Sequence, residues 1–389
     1  MIVFYTIILS CFTFYSFALV DPNLTLINHS LWAQFRENLV YFGYYQRGLS
    51  WNAYLILLIS LFICHYYFVK NEKKFKALHL ALLACCILLF SYPFLSHDFF
   101  NYMFDARIAT FYHQNPYLHK ALDYPADQWL RFMHWTHRTY PYGPVWLLIT
   151  IIPSFLSFGK FIVGFILFKV LFIIFYIASV FYLNKLDKKW AIFFATNPLV
   201  LIEGLINTHN DFIAASFAII GIFYMSTKKE HMPLFLGTFI NTEKKSYYFG
   251  LLHLFFSAGI KYLTLPLLLL QPIGSKLNKR GMLKQLDLNL IAFIGASLIL
   301  IYLSVAFEIQ PWYFLTLFAF LPFYEKIISN LNIFFAGLLF SYYPYIRFGG
   351  WDKASNIELK HWIIIIFFLL NLVILVFPYV KKIRRYNQR

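Results

Sequence analysis

Two carboxylates and an arginine stand within one short segment, SHDFFNYMFDAR at residues 96–107, which follows an apolar stretch. Asp98 and Asp105 are seven residues apart, so a continuous helix would place both on one face, with Arg107 on a neighbouring part of the surface. A carboxylate near hydrocarbon costs free energy and is usually partnered or functional. Asp98 could act as a general base whose pKa is raised by partial desolvation, or Ser96 and Asp98 could cap a helix.

A second polar group follows the acidic residue Glu203 in an otherwise apolar region. His209, Asn210 and Asp211 could bind the hydroxyls of a sugar or orient a catalytic group, although Asn210 or Asp211 could also cap the next helix. Glu203 is expected to face the bundle interior, because a carboxylate exposed to lipid is costly. A zinc site needs three or four ligands, and no HxxxH or CxxC pattern supplies them, so no metal is predicted.

Lys261 interrupts an apolar run between Phe255 and Pro266. Its ammonium could hold the phosphate of a lipid or extend to the membrane interface, and Lys169 is expected to extend in this second way. Trp312 and Tyr313 follow a proline and suit the membrane interface, and their rings could also stack on a sugar.

The composition excludes an ordinary soluble domain. The chain of 389 residues is 60% hydrophobic and 13% charged, whereas soluble domains are about 45–50% apolar and about 25% charged. The net charge of +16 does not favour a nucleic-acid partner, because short basic clusters at the ends of apolar segments mark the cytoplasmic side of a membrane protein. These clusters are Lys70–Lys76, Lys185–Lys189, Lys228–Lys229, Lys276–Lys284 and Lys381–Arg385. The four cysteines lie in apolar segments and are interpreted as core residues.

The apolar segments predict an all-α fold, a polytopic transmembrane helical bundle with about 10–13 spans. The candidate segments are 3–20, 51–69, 77–95, 161–183, 190–206, 212–226, 247–257 running on into 260–270, 288–306, 311–324, 331–347 and 362–380, with 143–157 as a half-span. The whole chain, 1–389, is taken as one integral-membrane domain. Its parts are an outer catalytic loop at 96–142, a core at 143–325 and C-terminal helices at 326–389.

Charge bias places the N-terminus, Lys70–Lys76 and the C-terminal tail inside. The loops 21–50 and 96–142 then lie outside. A half-span at 143–157 keeps Lys185–Lys189 inside and directs the hairpin tip at 207–211 outward. The loop 96–142 mixes charged, histidine and aromatic residues, which is typical of amphipathic juxtamembrane helices.

The order of these motifs resembles that of the GT-C superfamily of membrane glycosyltransferases, most closely bacterial mannosyltransferases that use a polyprenyl-phosphate-linked sugar. The motifs that carry the resemblance are Ser96–Tyr102, Phe104–Arg107, Asn115–Tyr117, Tyr140–Trp146, Asn197–Gly204, His209–Asp211, Lys261 before Pro266, and Pro311–Tyr313.

The resemblance implies transfer of mannose or another hexose from a polyprenyl-phosphate-linked donor to the hydroxyl of a lipid- or glycan-type acceptor, with inversion. Asp98 would be the catalytic base, and Lys261 and Arg107 would stabilise the leaving phosphate. Asp105 would be an alternative base or a partner of Arg107. The remaining implied substrate-binding residues are Asn115, Tyr142, Glu203, His209, Asn210, Asp211, Trp312 and Tyr313.

The resemblance requires no cofactor, and the expected partners are the donor, the acceptor and membrane lipids. The expected location is a bacterial cytoplasmic membrane, with the active site facing outward. Two other functions remain open at this point. A transporter or flippase of lipid-linked saccharides would favour repeat symmetry and broken helices in both halves, and a polymerase or ligase would favour a large outer loop late in the chain.

Overall fold

The computed structural model describes residues 1–22, 24, 26–226, 242–270 and 287–386. The predicted basic clusters Lys228–Lys229 and Lys276–Lys284 lie outside the described residues. The α-helices are α1 Ile2–Ser16, α2 Ser30–Val40, α3 Arg47–Lys70, α4 Ala77–Leu88, α5 Asp98–Thr110, α6 Pro144–Leu156, α7 Phe161–Leu186, α8 Lys188–Thr196, α9 Asn210–Ser226, α10 Thr242–Ile260, α11 Leu288–Ala306, α12 Leu321–Ile328, α13 Asn332–Phe340, α14 Tyr343–Phe348 and α15 Ala354–Tyr386. Two π-helical segments, Tyr41–Tyr45 and Val200–Ile206, and a 3-10 helix, Pro311–Phe320, complete the main elements.

The chain is an all-α polytopic membrane protein, as predicted. Among the described residues, the helices long and apolar enough to cross a membrane are Ile2–Leu19, Arg47–Lys70, Phe161–Leu186, Leu288–Ala306 and Ala354–Val376. Two consecutive pairs are apolar but bent, Lys188–Thr196 with Val200–Ile206 by 65° and Pro311–Ile328 with Asn332–Phe348 by 119°. Ala77–Leu88, Pro144–Leu156 and Asn210–Ser226 are apolar but short. Fewer full-length spans are therefore described than the predicted number of about 10–13, because several predicted spans are short or broken.

The long helix α7 separates two ends of the bundle. It has 26 residues and is about 39 Å long, enough for a hydrocarbon layer of about 30 Å. Phe161 at its start stacks on Phe100 of α5. Beyond its other end, Lys188 donates a hydrogen bond to the carbonyl of Lys73 at 3.2 Å. The prediction that Lys185–Lys189 lies on the same side as Lys70–Lys76 is confirmed, and α5 lies at the opposite end.

The helix α6 is too short to span a membrane. It contains 13 residues, which gives about 20 Å. Gly143 and Pro144 start it, because proline suits the first position of a helix. The prediction of a half-span at 143–157 agrees with this length, and it explains how α7 can begin at the same end of the bundle as α5.

The helix α5 is buried on all sides. Every residue from Phe99 to Ile108 is buried, because apolar and aromatic side chains occur around the whole helix and pack against α6 and α7. The expectation of an amphipathic helix on the membrane surface does not hold for this segment. The rest of the loop 96–142 folds into turns and two 3-10 helices, Ala121–Asp123 and Gln128–Phe132, with an isolated bridge between Lys120 and Thr139.

Candidate active site

Asp98 is the first residue of α5, and its carboxylate faces a buried histidine. The hydroxyl of Ser96 accepts a hydrogen bond from the Asp98 N–H at 3.3 Å, so Ser96 stabilises the turn at the start of α5. The Asp98 Oδ2 atom lies 3.6 Å from Nδ1 of His209, and the Asp98 side chain is 17% exposed. The Asp98 carboxylate is therefore partly exposed to solvent and also contacts a buried residue.

His209 lies between two carboxylates. Its Nε2 atom is 3.3 Å from Oε2 of Glu203, and both side chains are fully buried. A neutral imidazole has one N–H, so only the imidazolium can donate to Asp98 and Glu203 together. The same Glu203 oxygen accepts a hydrogen bond from Nδ2 of Asn207 at 3.1 Å. His209 can thereby orient the Asp98 carboxylate while Asn207 and Glu203 fix the imidazole.

The backbone before His209 has an unusual path. Glu203 belongs to the π-helical segment Val200–Ile206, a conformation frequent at functional sites. Thr208 has a φ of 60°, a left-handed conformation that costs a β-branched residue about 1–3 kcal/mol. The predicted hairpin tip at 207–211 is present, but all of its residues are buried, because α5 covers them. The tip is therefore part of the interior and not of the open surface.

Lys169 holds the segment that leads into this tip. Its ammonium donates hydrogen bonds to the Ser91 hydroxyl at 3.0 Å, to the Ile206 carbonyl at 3.1 Å and to the Leu205 carbonyl. The expectation that Lys169 extends to the membrane interface is wrong. Its side chain is buried, because three oxygen atoms inside the bundle satisfy the ammonium.

Lys261 ends in the same region. Its Nζ atom lies 3.0 Å from Oδ2 of Asp211, with the lysine side chain 18% exposed and the aspartate fully buried. The ammonium also lies 5.9 Å from the ring centroid of Tyr142 and 5.6 Å from that of Tyr313, close enough for cation–π attraction. We call Asp98, Glu203, His209, Asp211 and Lys261 the Asp98 cluster.

Two glycines bring the Tyr142 and Lys261 segments together. A Cβ atom at Gly143 would lie 2.3 Å from the carbonyl oxygen of Gly259, and a Cβ at Gly259 would lie 2.6 Å from Val145. Only glycine permits this approach of the start of α6 to the end of α10. The contact places Tyr142 beside the ammonium of Lys261.

Trp312 and Tyr313 form an aromatic side of the cluster. The Trp312 ring stacks on the His209 ring, with centroids 3.9 Å apart and planes at 10°. Pro311 begins the 3-10 helix that carries both residues. The stacking fixes the plane of the His209 imidazole, in addition to the two carboxylates.

The electrostatics of Asp98 differ from the expectation. Burial alone would raise the pKa of its carboxyl, but contact with His209 and the charges of Lys261 and Arg138 hold that pKa below its usual value. The prediction of a raised pKa is wrong because it considered desolvation without these neighbours. Asp98 is therefore ionised at neutral pH and can accept a proton.

Two predicted residues, Arg107 and Asn115, stand apart from this cluster. Arg107 pairs with Asp127 at 2.7 Å and lies over the rings of Phe111 and Trp129. The ion-pair partner of Arg107 is therefore Asp127 and not Asp105. Asn115 is exposed, and its side chain accepts a hydrogen bond from the Tyr117 N–H in a turn.

Asp105 is buried. Burial raises the pKa of its carboxyl to about 7, with Asp98 adding to the rise and Arg138 opposing it. Asp105 therefore lies within electrostatic range of the cluster but differs from Asp98 in its protonation near neutral pH.

Three residues that the sequence did not single out border the cluster. The Asn101 side chain, one helical turn after Asp98, is buried, and neither its amide nitrogen nor its oxygen has a hydrogen-bond partner in the described ranges. The Tyr102 hydroxyl accepts a hydrogen bond from the Asn210 N–H at 3.4 Å. Arg138 acts electrostatically on both Asp98 and Asp105. A spacing of three or four residues from Asp98 is the signal that could have identified Asn101 and Tyr102.

In the part of the chain that the structure describes, no group of three or more His, Cys, Asp or Glu residues is arranged to hold a metal ion. Cys64 and Cys85 are buried, whereas Cys11 and Cys86 are exposed on their helices. The interpretation of the cysteines as core residues therefore holds for two of the four.

A helical membrane bundle that gathers carboxylates, a lysine and aromatic rings at one end has the features expected of a membrane glycosyltransferase. A family model described as alpha-(1->6)-mannopyranosyltransferase, N-terminal domain, matches residues 14–275. The match covers more than half of the chain, and the chain belongs to this family. The comparisons with curated proteins and with solved structures gave no match.

Family membership identifies the chain as a glycosyltransferase that acts on mannose and confirms the resemblance to GT-C mannosyltransferases. The matched range includes every residue of the Asp98 cluster, and it ends before Trp312 and Tyr313. The aromatic side of the cluster is thus supplied by a part of the chain beyond the match.

Proposed function

We propose that the protein transfers a mannosyl group from a polyprenyl-phosphate-linked donor to a hydroxyl of a lipid- or glycan-type acceptor. The observation that carries this proposal is the placement of Asp98 and Lys261. Both side chains are partly exposed, and their buried partners, His209 and Asp211, are two residues apart. A general base and a cation thus lie within electrostatic range of each other, as a substitution at a sugar phosphate requires.

Asp98 accepts the proton of the acceptor hydroxyl as the acceptor oxygen attacks the anomeric carbon. The bond between this carbon and the phosphate oxygen breaks, and the electron pair leaves with the lipid phosphate. Attack from the side opposite the leaving group inverts the anomeric configuration. Lys261 stabilises the added negative charge on the phosphate. Arg107 is not assigned to this step, because it lies apart from the Asp98 cluster, against Asp127 and the rings of Phe111 and Trp129.

The other polar and aromatic groups suit a sugar. The side chains of Asn101 and Asn210 are buried without hydrogen-bond partners among the described residues, and buried amides of this kind favour ligand hydroxyls. Tyr142 and Tyr313 supply rings beside Lys261, and Trp312 supplies a ring beside His209. His209 and Glu203 are assigned to Asp98 and not to the substrate, because His209 lies against both Asp98 and Glu203.

The site is proposed to face the outer side of a bacterial cytoplasmic membrane. The basic segments Lys70–Lys76 and Lys185–Lys189 lie together at one end, and short basic loops favour the cytoplasmic side. Asp98 lies at the other end of α7. A lipid-linked donor and an acceptor outside the cell would both reach it there.

The experiment is a transfer assay with the full chain in lipid nanodiscs. Polyprenyl-phosphate-[14C]mannose and extracted envelope lipids and glycans are supplied, and both labelled product and free polyprenyl phosphate are measured. The proposal predicts their appearance in equal amounts. In reconstituted vesicles, labelled donor that crosses the membrane without chemical change would instead favour the flippase hypothesis. Long chains formed from a pyrophosphate-linked donor, with release of the lipid pyrophosphate, would favour a polymerase.

A further inference from the structure

A second buried lysine lies near the aromatic side of the cluster. Lys360, in the first turns of α15, is 1% exposed. Its Nζ atom donates hydrogen bonds to Oε1 of Glu308 at 2.7 Å and to Oε1 of Gln310 at 2.9 Å. It also lies over the Trp351 ring, 4.8 Å from the centroid. An ammonium has three N–H donors, so these contacts satisfy Lys360 within the protein.

The two oxygen partners of Lys360 directly precede the aromatic residues of the site. Glu308 and Gln310 lie in the connection between α11 and the 3-10 helix that begins at Pro311. Trp312 and Tyr313, which follow, contact His209 and Lys261. Lys360 therefore fixes the start of the segment whose next residues touch the Asp98 cluster.

A buried ion pair of this kind is weak evidence for stability. Desolvation of both charges offsets much of their attraction, and such pairs are best attested as devices that fix one register or geometry. The connection before Pro311 contains no long helix of its own, so its position depends on side-chain contacts. The pairing with Lys360 supplies two contacts from a helix near the C-terminus.

We propose that Lys360 is a positioning residue for the mannosyl-transfer reaction, which holds Trp312 and Tyr313 against His209 and Lys261 through Glu308 and Gln310. This inference rests on the proposed function. It assigns a role in the site to the C-terminal helices, which lie beyond the family match at 14–275. Lys360 acts through other side chains and does not touch the substrate.

The primary test is Lys360→Met in the nanodisc transfer assay. Displacement of a positioning segment by about 1 Å can lower a rate about 100-fold, so kcat is expected to fall about 10- to 100-fold. Lys353→Met, which changes an exposed lysine near the same helix start, should keep wild-type kcat. Elution and the unfolding midpoint of each variant show whether it folds. Glu308→Gln keeps the shape and an acceptor oxygen, and we expect it to lower kcat about three- to tenfold. This variant provides the test if Lys360→Met does not fold.

A double-mutant cycle separates positioning from a general structural role. If Lys360 acts through Trp312 and Tyr313, then Lys360→Met should lower kcat less in a Trp312→Ala background than in the wild-type chain. The proposal is overturned if folded Lys360→Met has wild-type kcat, if both losses multiply fully, or if Glu308→Gln has wild-type kcat. Absence of transfer by the wild-type chain would instead overturn the proposed function.

Discussion

The two carboxyls of α5 make opposite predictions for the pH dependence of mannosyl transfer. A general base must be ionised, and kcat/KM reports its pKa in the free enzyme. The Asp98 pKa lies below the usual value of 3.8, so more than about nine-tenths of Asp98 is ionised at pH 5. The Asp105 pKa is about 7, and its ionised fraction would fall about 90-fold between pH 8 and pH 5.

We therefore expect kcat/KM for the labelled donor to change less than about twofold between pH 5 and pH 8. The donor is a phosphodiester and keeps one negative charge over this range. A 90-fold fall toward pH 5 that disappears in Asp105→Asn would refute the assignment of Asp98.

Stability provides a control with a different sign. Folded Asp105 keeps its proton up to about pH 7, whereas the unfolded carboxyl releases it near pH 3.8. Its contribution to stability is therefore fully present below pH 3.8 and is lost as pH rises through 7. The unfolding midpoint of the wild-type protein should fall over this window relative to that of Asp105→Asn. The protonation of Asp105 favours the folded state at low pH. A fall in activity toward low pH therefore cannot be explained by unfolding linked to Asp105.

Three further substitutions test the cation, a backbone approach and the buried support of the tip. Lys261→Met should lower kcat about 100- to 1,000-fold, while Lys160→Met, an exposed lysine at the same end, should not; equal activity of both variants would refute the role of Lys261. Gly143→Ala should lower the unfolding midpoint and the activity, because its Cβ would meet a backbone oxygen at 2.3 Å; unchanged values would refute this contact. Lys169→Met should cost about 1–3 kcal/mol in stability, because it removes the donor to two carbonyls, and Lys169→Gln should restore part of this stability. Thermal unfolding in detergent measures both variants. A Lys169→Met variant as stable as the wild-type protein would contradict the contact.

The charged residues of the Asp98 cluster could be predicted because they are exceptional in apolar surroundings. Glu203 and Lys261 interrupt runs of hydrophobic residues, and Asp98 and Asp211 end short polar segments between such runs; burial without a partner would be expensive. The sequence could not assign the pairs. His209 contacts Asp98, more than 100 positions earlier in the chain. Their contact depends on how α5 packs over the tip at 207–211.

The wrong or missed predictions for Lys169, Asn101 and the span 77–95 share a physical cause, because each depends on structure that hydrophobicity does not report. Lys169 resembles any lysine near lipid until Ser91 and the carbonyl of Ile206 are brought beside it. Asn101 carries no charge, so nothing in an aromatic segment distinguishes it. The predicted span 77–95 ends as a helix at Leu88, and Pro93, which lacks a backbone N–H, lies in the extended remainder. Hydrophobicity alone does not report such endings.

The most direct test of the central claim compares Asp98→Asn with Asp123→Asn. Asp123 is a partly exposed carboxylate in the same loop that accepts a hydrogen bond from the Lys120 N–H. Asn keeps the size of the side chain but cannot accept the proton, and loss of a general base costs about 100- to 10,000-fold. We predict that Asp98→Asn forms labelled product and releases free polyprenyl phosphate at least about 100-fold more slowly than the wild-type protein, while Asp123→Asn matches it. A folded Asp98→Asn variant with wild-type release of lipid phosphate would contradict the account.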